Sequence, residues 1–137
     1  MKKISALTLS VLLIFTVLAS SASAATRLWS FNTTIGAKES IDSGYISIDS
    51  STVKTYITQM NYPNGPGLVP IVEFKLYKKG LFFDTLVDSF SLNQELNHGT
   101  LIKTLKTDGS GKYKFVVTNG NPANKTFAIN GYLQTGD

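Results

Sequence analysis

The sequence predicts an all-β fold, an antiparallel β-sandwich of two sheets and about eight strands with jelly-roll or Greek-key connections. Three observations predict it. Beyond residue 25 no segment carries a helical period, and apolar and polar residues alternate in run after run. β-branched and aromatic residues fill those runs, and clusters of Gly, Asn, Asp or Pro separate them. One side of most runs is apolar and the other polar. An antiparallel sheet covered on one face satisfies that pattern, and two such sheets cover each other. A partly closed barrel is the alternative arrangement.

Each run supports one element. In residues 27–35, Trp29, Phe31, Thr33 and Ile35 alternate with Ser30, Asn32 and Thr34. Residues 36–43 are polar and turn-like, and 44–49 form a short strand with Ile46 and Ile48 on one face. Residues 52–62 predict a long strand with Val53, Thr55 and Ile57 on one face and Tyr56, Thr58, Met60 and Tyr62 on the other. Pro63-Asn64-Gly65-Pro66-Gly67 is the strongest loop signal, because proline withdraws ladder donors and glycine permits positive φ. Residues 69–77 turn Val72, Phe74 and Leu76 inward and Glu73, Lys75 and Tyr77 outward. After Lys78-Lys79-Gly80 the chain extends again over 81–90, and 92–99 is the one stretch with room for a helical turn, a short one. Residues 100–107 and 112–118 read as a hairpin about Asp108-Gly109-Ser110-Gly111, with Tyr113, Phe115 and Val117 on one face. Residues 119–124 turn, and the last strand, 125–134, lines up Phe127, Ile129, Gly131 and Leu133.

The first 24 residues have a different character. Lys2 and Lys3 precede an apolar run from 4 to 18, and Ala22-Ser23-Ala24 offers a small-x-small cleavage pattern. This is the layout of a secretory signal peptide cleaved near Ala24, which leaves residues 25–137 as a single domain outside the cytoplasm. The apolar run is short for a transmembrane helix, so no stable membrane span is expected in the mature chain. There is no cysteine, hence no disulfide, and the stability of an exported domain then rests on apolar burial. With the short Met-Lys-Lys start, this favours a bacterial source. The leader holds two of the 13 basic residues and none of the nine acids, so the remainder carries +2. Its lysines are scattered, not massed on one face, which argues against nucleic acid as a partner.

The second half has a recognisable cadence. Val72-Glu73-Phe74-Lys75-Leu76-Tyr77 precedes Gly111-Lys112-Tyr113-Lys114-Phe115-Val116-Val117, and a final strand surrounds Phe127 to Leu133. Over residues 68–134 this resembles the secreted bacterial jelly-roll modules appended to exoenzymes, such as the pre-peptidase C-terminal domains. The resemblance implies a non-catalytic sandwich with an accessory or binding role.

Catalytic chemistry finds little support in the residue types. His98 is the single histidine, and Gly109-Ser110-Gly111 lacks the spacing of a nucleophile elbow. One histidine and no cysteine do not make a zinc or copper site, and no acid cluster has calcium spacing. Asp84 and Asp88 would stand about 13 Å apart along a strand. Neither metal nor cofactor is expected, and no enzyme activity. Glu39, Glu73 and Glu95 are the carboxylates a small exported hydrolase would have to use. The expected function is a small secreted binding, envelope or matrix protein whose partner is cell-surface polysaccharide or an envelope protein. Outward tyrosines would stack on sugars, and Tyr62, Tyr77 and Tyr132 are the candidates. The alternative is an antimicrobial or membrane-active effector. Its tip would be Lys78, Lys79, Leu81, Phe82 and Phe83, three apolar residues beside a basic turn.

Overall fold

The computed structural model describes residues 24–61, 71–121 and 125–136. Residues 1–23 of the expected signal peptide, the Pro63–Gly67 loop and Tyr62 lie outside the described residues. Eight strands follow in order: β1 (Thr26–Ile35), β2 (Ser40–Ile48), β3 (Thr52–Asn61), β4 (Val72–Lys78), β5 (Thr85–Leu92), β6 (Leu101–Lys106), β7 (Gly111–Asn119) and β8 (Phe127–Thr135). They form two antiparallel sheets of four, ordered β1-β8-β3-β6 and β2-β7-β4-β5. Successive strands mostly fall in alternate sheets, and the last strand inserts between the first and the third. That order is a jelly roll.

The expected alternation builds the core. Phe31, Ile35, Val53, Ile57, Phe127, Ile129 and Leu133 point inward from one sheet, and Val72, Phe74, Leu76, Tyr113, Phe115 and Val117 from the other. Trp29 packs edge-on to Phe115 at 5.9 Å between ring centroids and lies 4.9 Å from Phe31. Gly131 sits mid-strand where the β3 backbone and the Phe31 ring close on it. A Cβ there would run into the Tyr56 carbonyl oxygen and would lie 2.7 Å from the Phe31 ring. Only glycine lets that ring cross β8.

Four sequence expectations are corrected. The 100–107 and 112–118 runs are not a hairpin: β6 pairs with β3, whereas β7 pairs with β2 and β4. The Asp108–Gly111 turn instead carries the chain from one sheet to the other. It is clasped by buried Tyr113, whose hydroxyl donates to the Gly109 carbonyl at 2.5 Å and accepts from the Asp108 N–H at 3.0 Å. Met60 belongs to the inward face, because a register shift between Ile57 and Gln59 flips the alternation. β2 begins at Ser40, four residues before the expected strand, since Ser43 and Gly44 form a bulge opposite Phe115. The Ser43 hydroxyl accepts the Phe115 N–H at 3.0 Å, in place of a lost ladder bond. Residues 92–99 form no helical turn; Leu96 exchanges two backbone hydrogen bonds with Met60.

Asn119, at the end of β7, ties the sheets together. Its Nδ2 donates to the Ile35 carbonyl (3.1 Å) and to the Lys125 carbonyl (2.7 Å), both flanking the other sheet. Its Oδ1 accepts from the backbone and side-chain N–H groups of Asn121 at 3.1 and 2.9 Å. The amide is fully buried, with every donor and acceptor engaged.

Thr55 is the opposite case. It is fully buried among Val53 and Ile57 on β3, and its hydroxyl has no hydrogen-bond partner among the described residues. An unmet buried hydroxyl costs about 1–3 kcal/mol. Thr55→Val keeps the branched shape, so it is expected to raise stability by about 1 kcal/mol, measured by urea denaturation.

Candidate functional site

The outward face of the β2-β7-β4-β5 sheet is laid out in rows by its register. Tyr45, Lys114, Tyr77 and Leu86 lie side by side across the four strands. Asp42, Val116, Lys75 and Ser89 form the next row, and Ser40, Thr118, Glu73 and Ser91 the third. Strands about 4.8 Å apart place the two tyrosines about 10 Å apart, with Lys114 between them. The rows line an open groove of about 410 Å³ that touches Ser40, Asp42, Lys75, Tyr77, Asp84, Lys114, Val116 and Thr118.

The polar groups of this face are held in place by one another. Asp84, just ahead of β5, accepts from the Tyr45 hydroxyl at 2.8 and 2.9 Å on its two oxygens and pairs with Lys114 at 2.9 Å. The Lys114 ammonium, and next the Tyr45 hydroxyl, hold the Asp84 carboxyl below the usual carboxylate range. The same contacts push the Lys114 ammonium and the Tyr45 phenol upward, each chiefly through its hydrogen bond to Asp84. Lys79 and Lys114 stand 4.8 and 5.3 Å from the Tyr45 ring centre, so its π face meets two cations. Glu73 binds Lys75 at 2.6 Å, and Ser40 and Thr118 share a 2.8 Å hydroxyl contact.

The sequence-predicted site residues do not gather in one place. Tyr77 lies in this groove, whereas Tyr132 is on the outer face of the other sheet. There the Tyr132 ring stacks on Tyr56 at 4.6 Å, and the Arg27 guanidinium lies 4.0 Å from its centre. These neighbours come from the strands on either side of β8, so both faces of the ring are occupied. Tyr45 went unnoticed in the sequence, although its position out of phase with Ile46 and Ile48 already placed it outward.

Residues 81–90 do not extend in one piece either. Leu81, Phe82 and Phe83 form a bent tip between β4 and β5, and they are 97%, 88% and 85% exposed. Lys78 hydrogen-bonds the Asp108 carbonyl, and Lys79 donates its backbone N–H to the Lys112 carbonyl at 2.8 Å. Asp88 accepts from the Ser89 and Lys106 N–H groups, which joins the edges of the two sheets and keeps it apart from Asp84. Of the three glutamates, Glu39 accepts from the Gly36 N–H at 3.1 Å, Glu73 is paired and Glu95 is exposed. No three His, Asp or Glu side chains among the described residues could share a metal ion. Among them, too, no helix is long and apolar enough to cross a membrane.

No family model matches this chain, and no curated protein matches it in sequence. Solved structures do. The CBM36-1 domain of a multidomain xylanase from the hindgut metagenome of Trinervitermes trinervoides superimposes with a TM-score of 0.51. It is 11% identical over 85% of this chain and 94% of that one. The two share a fold. A CBM4 structure (TM-score 0.49, 10% identity, 79% and 84% coverage) is also similar. So is the carbohydrate-binding module CBM6cm-2 of Cellvibrio mixtus lichenase 5A, in complex with cellotriose (0.46, 12%, 87% and 95%). At these identities the likeness concerns the path of the chain, and the chemistry must come from the side chains above.

Proposed function

We infer that the protein is an exported, non-catalytic carbohydrate-binding module, with its site on the outward β2-β7-β4-β5 face. The observation that carries this reading is the Tyr45–Lys114–Tyr77 row with Asp84 fixed against it. Sugars present apolar C–H faces and a fringe of hydroxyls. Aromatic rings match the first, and immobilised carboxylate, ammonium and hydroxyl groups match the second. The shared fold with a CBM36-1 domain supports the reading. The cadence that resembles pre-peptidase C-terminal modules and the signal-like leader agree with it. Cell-surface polysaccharide is the proposed partner.

Pull-down on purified cell wall, xylan and cellulose, followed by calorimetry with the matching oligosaccharide, tests the proposal. Tyr77→Ala and Asp84→Asn are each expected to weaken binding about tenfold, which is about 1.4 kcal/mol, with the circular-dichroism spectrum of the folded protein retained. The pH dependence follows from Asp84. Its folded pKa is lowered, so the ion pair is intact above the ordinary carboxylate pKa and is lost only as pH falls through the depressed value. Binding should therefore be equal at pH 7 and pH 5 and decline below pH 4. Absence of binding to all three polymers, or binding indifferent to both substitutions, overturns the reading.

A further inference from the structure

We propose that the Leu81–Phe83 tip is a membrane-insertion wedge that docks one end of the sandwich on an anionic lipid surface. Three consecutive bulky apolar side chains stand almost wholly in water, although the chain has a large core in which to bury such residues. The loop that carries them is tightly closed and held at its base. A Cβ on Gly80 would collide with the Phe83 carbonyl oxygen, so the loop closes tightly on itself and turns its side chains outward. Its base is pinned on one side by the Lys79 N–H to the Lys112 carbonyl and on the other by Asp84 against Tyr45 and Lys114. A tip held in its working shape loses little conformational freedom on insertion.

The shape selects the occupant. Two phenylalanine rings of about 150–250 Å² each and one leucine fall short of the roughly 800 Å² per partner that a stable protein interface buries. A bilayer accepts a wedge without a complementary pocket. The charges agree. Lys78 and Lys79 lead directly into the tip, and exposed Lys112 is joined to Lys79 through its carbonyl, so the chain at the base of the tip is basic. Asp84 is neutralised by Lys114, and Lys78 lies 3.6 Å from Asp108. Asp42 also acts on Tyr45 and Lys114, and Asp49 lies in the β2–β3 connection. Leu81, Phe82 and Phe83 would enter the acyl boundary while the lysines stay at headgroup level, as in other interfacial apolar-basic elements.

Asp84 serves both the groove and the base of the tip, but Leu81, Phe82 and Phe83 line no part of the groove, so a substitution at the rings tests the wedge without touching the carbohydrate face. The test is cosedimentation with vesicles of equal phosphatidylglycerol and phosphatidylcholine, beside vesicles of pure phosphatidylcholine. Analytical ultracentrifugation without lipid runs in parallel. Wild type is expected to bind the anionic vesicles, more weakly as salt rises, and Phe82→Asp/Phe83→Asp to bind at least tenfold less. Because these rings contact no core, the variant should keep its circular dichroism, melting temperature and polysaccharide pull-down. Phe82→Trp should gain a blue-shifted emission on anionic vesicles that brominated lipid quenches. Absence of vesicle binding by wild type overturns the proposal. So does binding unaffected by the double substitution. A lipid-free dimer dissolved by that substitution overturns it in favour of a second copy of the chain as the occupant.

Discussion

Asn119→Leu is expected to lower the unfolding free energy by about 3–5 kcal/mol, although leucine keeps the side-chain heavy-atom count and branching of asparagine. The loss comes from the groups left behind. The Ile35 and Lys125 carbonyls lose their donor, and the Asn121 N–H groups lose their acceptor. Each unmet buried group costs about 1–3 kcal/mol, and those near the surface recover part of it from water. Since domains of this size are stable by about 5–15 kcal/mol, the variant should unfold at markedly lower urea concentration. Trp29 fluorescence reports the transition. Asn119→Asp separates hydrogen bonding from packing. It keeps the acceptor for Asn121 but turns a charge toward two carbonyl oxygens. Its folded pKa is therefore raised, and the damage should shrink as pH falls, when the protonated acid donates again. A loss under 1 kcal/mol for Asn119→Leu would mean that the clasp contributes little to joining the sheets.

Phe115→Ala is expected to cost about 3–5 kcal/mol. Phe115 is fully buried in β7, an interior strand, between Trp29 of the facing sheet and Phe74 of its own. Its removal opens a void where the two layers meet, and the β2 and β4 ladders on either side resist collapse into it. Phe90 is the internal comparison. It stacks on Phe74 at 4.5 Å but lies half-buried on the edge strand β5, so Phe90→Ala should cost clearly less. Equal losses in urea denaturation would contradict the placement of the core between the sheets.

The faces of the strands were legible because alternation is a local property. Val72, Phe74 and Leu76, or Phe127, Ile129 and Leu133, announce their inward side within seven residues. What local pattern cannot convey is which strand lies beside which. The segment around Asp108-Gly109-Ser110-Gly111 has hairpin chemistry, yet it spans the two layers, because Tyr113 anchors it from inside. Bulges hide for a related reason. The shift past Ile57 moves Met60 inward, and the Ser43–Gly44 bulge makes a strand out of turn-like residues; both are stabilised by partners remote in sequence. The candidate groove is a cross-strand object. Tyr45, Lys114 and Tyr77 are separated by tens of residues and share a row only through the register of three strands, so Tyr77 could be singled out as an outward ring but its neighbours could not. The three apolar residues at 81–83 stood out for the opposite reason, since they break the alternation on their own.

The insertion of β8 between β1 and β3 has a kinetic side. Thr26 pairs with Thr135 and Ile35 with Phe127, so the opening strand has no ladder until the closing one arrives. Such contacts span nearly the whole domain, and the long chain excursion they enclose makes their formation slow. A ribosome still short of residue 127 holds a polypeptide with half of one layer missing. Folding of this layer is thus deferred until β8 has been made, and a chaperone has a long interval in which to capture an open thread.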